Sequence, residues 1–333
     1  MSTKSGKKDI AVARPSSSVV LISPENKVLL LHRVKTSTSF ASAHVFPGGN
    51  ISSEQDGECP PVEDITRHDD AINYRRAAIR ELFEESGILL AKDRVSGELV
   101  HINDAEKERG RKDIHNNKIV FSEWLHGQNT AAEPDTAGLI PFTRWITPPN
   151  LPKRFTTQMY LYFLPLVEQS ENAHGLPKGG LQEVQVPTSD GGIEINEARF
   201  LRASSWLEKA RSGEIILYPP QFMLLSLVSQ FLDQDGNDST SKTLQRRRAQ
   251  LVEFVHSGSP AWTDKCISPR SMKLLDDNRA VLTLDHPGPE LHGSNRKGES
   301  DRVILVKFGK EGPRKVEVRW KKDILRENSK VNL

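Results

Sequence analysis

A mixed α/β fold is predicted by three observations. Runs of β-branched and aliphatic residues recur at strand length, notably over residues 16–31 (SSSVVLISPENKVLLL) and 155–166 (FTTQMYLYFLPL). Between such runs lie segments with apolar residues near helical spacing, as at Ala71, Ala78, Ile79, Leu82 and Phe83. Proline and glycine punctuate the joins, as at Pro47-Gly48-Gly49 and Pro219-Pro220.

Taken in order, residues 1–15 are basic and polar, lack an apolar secretory run, and are expected to form a disordered tail. Residues 16–31 read as two strands about a Ser23-Pro24-Glu25-Asn26 turn. Val45-Phe46 stops at Pro47-Gly48-Gly49, where glycine allows a sharp turn and close approach of the backbone to a ligand. Residues 50–68 are polar, contain Gly57 and Pro60-Pro61, and read as a loop. Asp69-Asp70 is placed to cap a helix that runs to about Ser86 and is stopped by Gly87, with Ile88-Leu89-Leu90 resuming as a strand. Residues 91–137 read as helical and charge-rich, anchored by Trp124 and Leu125. Strands over 142–147 and 155–166 lead into a loop-rich stretch, 168–192. A strand at 198–201, helices at 204–211 and 220–232, and a polar linker at 233–241 follow. A helix at 244–255 and strands at 281–284, 302–308 and 315–320 complete the reading. Trp145 and the aromatics of 159–163 are assigned to the core. Arg246-Arg247-Arg248, lacking interleaved aromatics, reads as a solvated helix face.

A chain of 333 residues can bury one large core with long insertions, or a core plus a smaller addition. Its net charge of +2 gives no field directed at nucleic acid or an anionic membrane, so composition lends no support to a nucleic-acid partner. The most apolar stretch, 215–232, is broken by Tyr218-Pro219-Pro220-Gln221 and is too short to span a bilayer. Cys59 and Cys266 are far apart and lack metal-ligand spacing, which points to a reducing compartment. The ending Val331-Asn332-Leu333 does not match the Ser-Lys-Leu peroxisomal address. Cytoplasm and an organellar matrix (peroxisome or mitochondrion) both stay open.

The chemistry is concentrated in Arg80-Glu81-Leu82-Phe83-Glu84-Glu85-Ser86-Gly87-Ile88. On a helix, Arg80 lies one turn from Glu84 and Glu81 one turn from Glu85, so three carboxylates share one edge while Leu82 and Phe83 turn inward. Like charges at this spacing destabilise a helix. A hard divalent cation relieves the repulsion, and oxygen-only ligands suit magnesium or manganese.

This segment resembles the second half of the Nudix box, G-x5-E-x7-R-E-U-x-E-E-x-G-U with U bulky and aliphatic, at every defined position. Phe46-Pro47-Gly48-Gly49 resembles the start of the box region in that family. One departure stands out. Gly49 precedes Arg80 by 31 positions where the box allows 14, an insertion of 17 residues. Counting from Gly49, the box's first glutamate falls on Gln55; Glu54, Asp56 and Asp69 are candidates to replace it, with none preferred. The insertion, the LLLHR segment at 29–33, Trp145-Ile146-Thr147-Pro148-Pro149 and Pro152-Lys153-Arg154-Phe155-Thr156-Thr157 resemble the Nudix branch that includes peroxisomal coenzyme A diphosphatases.

The resemblance covers roughly residues 16–232, taken as a Nudix domain with an insertion at 50–68, and leaves 233–333 as a C-terminal extension. It implies an α/β/α sandwich with a mixed sheet and a loop–helix–loop catalytic motif. It implies Mg2+ or Mn2+ held by Glu84, Glu85 and the Gly49 carbonyl, with Glu81 as a ligand or water activator and Arg80 orienting the glutamates. A further carboxylate is expected from Glu194 or Glu197, with Glu194 favoured. Arg33, His44, Gly48 and Arg154 are the substrate-contact candidates, although an ion pair for each arginine and a packed state for His44 are the competing readings. The implied substrate is a small nucleotide diphosphate of the coenzyme A type, cut to 3′,5′-ADP and a phosphopantetheine. ADP-ribose, a dinucleotide such as NADH, or capped RNA (which the near-neutral charge weighs against), or a catalytically retired binding module, are the alternatives. The extension is a candidate dimer contact.

Overall fold

The computed structural model describes residues 10–37, 40–166, 187–188, 190, 194–234 and 240–331. The chain runs through β1 (Arg14–Ile22), β2 (Val28–Arg33), β3 (His44–Val45), β4 (Gly48–Asn50), α1 (Ser53–Asp56), α2 (Ile72–Ser86) and β5 (Ala91–Asp93). It continues with α3 (Asp104–His115), α4 (Phe121–Gln128), β6 (Ala132–Pro134), β7 (Ile140–Ile146), β8 (Phe155–Phe163), β9 (Ile195–Leu201), α5 (Ala203–Ser212) and α6 (Pro219–Leu232). The C-terminal part comprises α7 (Ser241–His256), β10 (Cys266–Ile267), β11 (Arg270–Leu274), β12 (Ala280–Leu284), β13 (Glu299–Gly309), β14 (Gly312–Trp320) and α8 (Lys321–Val331).

The central sheet is mixed. β1 pairs in parallel with β8 from Arg14↔Phe155 to Ile22↔Phe163, and antiparallel with β2 and β4. β7 lies antiparallel to β8, β9 and β3 flank β2, and β10 joins β7 in parallel. Strand periodicity explains the two layers of helix. Val19, Leu21, Leu29 and Leu31 face Tyr74, Ile79, Leu82 and Phe83 of α2. Their neighbours Val20, Ile22, Val28 and Leu30 share the other core with Trp206 of α5 and Phe222 of α6. A sheet apolar on both faces must be covered on both, and the α/β/α sandwich follows.

The extension shares that second core. β11–β14 form an antiparallel sheet, and its residues Leu282, Leu284, Ile304, Val306 and Val316 join the core that holds α5 and α6, the helices against which β13 and β14 pack. The opposite face, Val281, Val303 and Leu305, is covered by Ile324 of α8. Among the described residues, no helix is long and apolar enough to cross a membrane. Cys59 and Cys266 are both free.

Several expectations are corrected. The chain enters the sheet at Arg14, inside the segment read as a tail, because Arg14 N–H donates to the Arg154 carbonyl and continues the β8 ladder. Residues 1–9 lie outside the described residues, as does most of the 168–192 loop. The 50–68 stretch carries α1 and a short 3₁₀ turn at Ile65–His68. Asp70 does not cap α2, whose N-cap is Ala71; its carboxylate is taken by Arg75 and the Tyr160 hydroxyl. Ile88-Leu89-Leu90 is buried but lies outside the strands, and the strand begins at Ala91. Arg247 and Arg248 are buried rather than solvated. Arg248 donates to the carbonyls of Ser23 and Leu164 and to Asn26 Oδ1, tying α7 to the ends of β1 and β8.

Candidate active site

The site is built on the last two turns of α2. Ala77, Ala78, Ile79, Leu82 and Phe83 are fully buried and fix the helix's rotation, which turns the edge bearing Glu81, Glu84 and Glu85 outward over β4. Gly87 ends the helix in the left-handed region (φ 72°), a conformation only glycine adopts without strain, and its N–H donates to the Phe83 carbonyl.

Arg80 is buried at the centre. It donates to both oxygens of Asp56 (2.9 and 2.7 Å), to Glu81 Oε1 (2.9 Å), to Glu84 Oε1 (2.7 Å) and to the Asn50 carbonyl (3.1 Å). Burial opposes its charge, but the surrounding carboxylates, Glu81 foremost, reverse that effect and raise its pKa. The bidentate grip of Asp56 decides a question the residue pattern left open. Gln55, at the counted box position, points away, bonding Phe121 N–H, the Ile119 carbonyl and Asn117. Glu54 is exposed, and Asp69 pairs with Arg296. Asp56, one residue further along with a side chain one methylene shorter, is the acid that reaches Arg80.

Glu81 lies against Gly49: a Cβ there would stand 2.4–2.5 Å from its carboxyl atoms, so the two can be neighbours only with glycine. Glu85 accepts from Gly48 N–H (2.8 Å) and pairs with Arg33 (3.3 Å), whose other terminal nitrogen holds Glu194 (2.7 Å). Arg33 thus links the glutamate helix to the start of β9. Glu197 faces solvent beside Arg199 instead.

Burial raises the Glu81 carboxyl to about 7, with Glu84 and Asp56 adding repulsion against the pull of Arg80. Burial, then Glu81, raises Glu85 well above the usual carboxylate range, against Arg33 and Gly48 N–H. A carboxyl whose folded pKa is raised stabilises the fold below its unfolded pKa and loses that contribution as pH climbs through the folded value. Chelator-treated protein should therefore lose melting temperature between about pH 4.5 and 7, and a divalent cation should flatten that slope. Melts at pH 5, 6, 7 and 8 with EDTA or Mg2+ test this; parallel curves would refute a cation among these acids.

The donors are oxygen-only and under mutual repulsion, the chemistry a hard divalent cation fits. Among the described residues, no three acidic, histidine or cysteine side chains converge at ligating distance, because Arg33 and Arg80 stand between the carboxylates.

Two substrate-contact candidates lie elsewhere. His44 stacks on His32 (4.6 Å) and packs on Trp206, on the sheet face opposite α2, and burial lowers its pKa to about 4. Arg154 is buried between the Ala11, Thr147 and Pro148 carbonyls and Glu290, linking the segment before β1 to the extension.

The residue reading expected helix over 91–137 but did not assign α3 to the site. Glu108, Arg111, Lys112 and His115 recur at helical spacing and line the same cleft as Glu81, Glu84, Glu85, Asp190 and Glu194. That spacing was visible in the sequence. What placed the face over the acids was not.

The family model of the NUDIX domain matches residues 12–167. A putative nudix hydrolase 7 of Caenorhabditis elegans is 30% identical over 67% of this chain and 62% of its own length. The acyl-coenzyme A diphosphatase NUDT19 of Xenopus laevis is 25% identical over 62% of this chain and 60% of its own. The chain thus spans about three fifths of the length of these curated relatives. The crystal structure of a NUDIX hydrolase from Alicyclobacillus acidocaldarius shares the fold with a TM-score of 0.50, at 21% identity, over 67% of this chain and 94% of that one. Sandwich, box helix and family match together identify residues 12–167 as a NUDIX domain.

Proposed function

We propose that the chain is a divalent-cation-dependent hydrolase of a diphosphate linkage in a small nucleotide-type substrate. Its leading substrate is coenzyme A or an acyl-coenzyme A, cleaved with water to 3′,5′-ADP and (acyl-)phosphopantetheine. The observation that carries this reading is the buried Arg80 holding Glu81, Glu84 and Asp56 around it. A helix edge bearing repelling acids, fastened by one guanidinium, is costly to maintain without a cation to bind.

Magnesium or manganese, held by Glu84, Glu85 and the Gly49 carbonyl, would supply charge neutralisation at the diphosphate oxygens and a more acidic water. Glu194 is a further ligand, joined to Glu85 through Arg33. Arg80 fixes the Glu81 and Glu84 rotamers, and Asp56 fixes Arg80. Glu81, raised to about 7 and held by Arg80 at Oε1 only, suits removal of a proton from the attacking water. Gly48 N–H holds Glu85 Oε2 and thereby orients it.

Support for the coenzyme A choice comes from the likeness to the Xenopus laevis acyl-coenzyme A diphosphatase and from the long insertion after the Gly-Gly turn. ADP-ribose and NADH carry the same linkage and are the second reading. Retirement from catalysis is disfavoured by the intact acids. Purified protein incubated with Mg2+ and coenzyme A, with product masses read out, should release 3′,5′-ADP. AMP from ADP-ribose or NADH but nothing from coenzyme A would replace the substrate and keep the chemistry. No product from any diphosphate with either metal would overturn the enzyme reading.

A further inference from the structure

A diphosphate brings several negative charges into a cleft that already holds Glu81, Glu84, Glu85, Glu108, Asp190 and Glu194. Divalent cations can screen the face formed by α2. The wall opposite needs a cation of its own, since phosphate groups are held by Lys, Arg and His donors where field and geometry favour them. The two arginines that the sequence suggested for substrate contact are already paired, Arg33 with Glu85 and Glu194 and Arg154 with Glu290, and Arg80 is held by Asp56, Glu81 and Glu84.

The geometry points to α3 as the phosphate-recognition wall, with Lys112 and His115 as its substrate-binding residues and Arg111 as the positioning residue that holds the helix in place. This rests on the hydrolase reading above. Arg111 is 4% exposed and sends Nε and Nη2 to the Glu84 carbonyl (3.0 and 2.9 Å). That carbonyl belongs to the last turn of α2, where backbone acceptors lack helical partners and a cation is favoured. Nη1 reaches Thr188, whose own N–H donates to the Ser86 carbonyl. One buried guanidinium therefore fixes α3 against the turn that carries Glu84 and Glu85.

On that fixed helix, Lys112 and His115 stand one turn apart on the cleft face. The Lys112 side chain is 61% exposed, and its partner is the half-open Glu108 carboxylate at 3.2 Å, a pairing that an incoming phosphate can replace. His115 sets Nδ1 3.4 Å from Glu84 Oε2 and keeps 38% of its side-chain surface open. Both therefore border the acids without being enclosed by them, the position a phosphoryl oxygen on the near side of the cleft would meet.

Steady-state kinetics of Lys112→Ala and His115→Gln with coenzyme A and Mg2+ test this, beside calorimetric titration of 3′,5′-ADP and AMP into the Mg2+-loaded protein. The expected result is a KM raised about tenfold for each, the scale of one lost charge-assisted hydrogen bond, with kcat within about threefold, and recovery in Lys112→Arg. Affinity for 3′,5′-ADP should fall in parallel. Equal weakening of AMP assigns the contact to the 5′-phosphate, whereas weakening confined to 3′,5′-ADP assigns it to the 3′-phosphate. Unchanged KM and affinity in both variants, or a loss confined to kcat, overturns the proposal, as does a wild type that binds neither nucleotide. A wild type that binds 3′,5′-ADP through Lys112 but hydrolyses no diphosphate would sink the hydrolase reading and leave the wall standing.

Discussion

Replacing Glu84 by glutamine is expected to lower kcat by at least about 10²-fold while leaving the chelator-treated protein as stable as the wild type or more so. The first half follows from the proposed role: charge stabilisation by a bound cation is worth several kcal/mol in the transition state, and 1.4 kcal/mol is a factor of ten. The second half follows from the geometry. Glutamine keeps an oxygen for Arg80 Nη1, which now donates to Glu84 Oε1 at 2.7 Å, so the anchor survives. It also removes one of the charges that repel Glu81, whose carboxyl is held near 7 partly by Glu84. Activity and stability should thus move in opposite directions, the signature of residues kept for a ligand rather than for the fold. Paired measurements of kcat with Mg2+ and of melting temperature in EDTA decide it. Retention of activity within tenfold would remove Glu84 from the ligand set. A large drop in melting temperature would mean that its charge is structural.

The sandwich was legible because its two signals are local. Unbroken apolar runs at 19–22 and 28–31 mark strands buried on both faces, and RELFEESGI places three acids on one helix edge. What was not legible depended on distant partners. Asp70 looks like a helix cap until Tyr160 and Arg75 take its carboxylate. Arg247-Arg248 looks solvated until Arg248 meets the Leu164 and Ser23 carbonyls beyond β8 and β1 and Arg247 meets the Gln234 carbonyl. Arg33 and Arg154 are both isolated basic residues near strand ends, yet one enters the acid cluster and the other anchors the extension. Short strands such as β3 and β10 carry too few residues for a pattern, and only their pairing defines them.

Removal of the Asp56 carboxylate is the change expected to harm the fold most directly. Asp56 is 1% exposed and holds Arg80 through two hydrogen bonds, so Asp56→Ala leaves a buried guanidinium short of its bidentate partner. Breaking a buried pair from one side costs about 3–5 kcal/mol. Arg80 keeps Glu81, Glu84 and the Asn50 carbonyl, which argues for the lower end of that range, a melting temperature lower by several degrees. Activity should fall further than stability explains, because an Arg80 free to move no longer fixes the Glu81 and Glu84 rotamers. Asp56→Asn retains one acceptor and should lie between. Gln55→Ala supplies the contrast. Its side chain ties α1 to the segment between α3 and α4 through neutral hydrogen bonds, each worth about 1 kcal/mol, and does not touch Arg80. If alignment by counting from Gly49 were the right guide, Gln55→Ala would damage turnover more than Asp56→Asn. The opposite order is expected, since an arginine among acids is held by whichever carboxylate reaches it, whatever its place in the count.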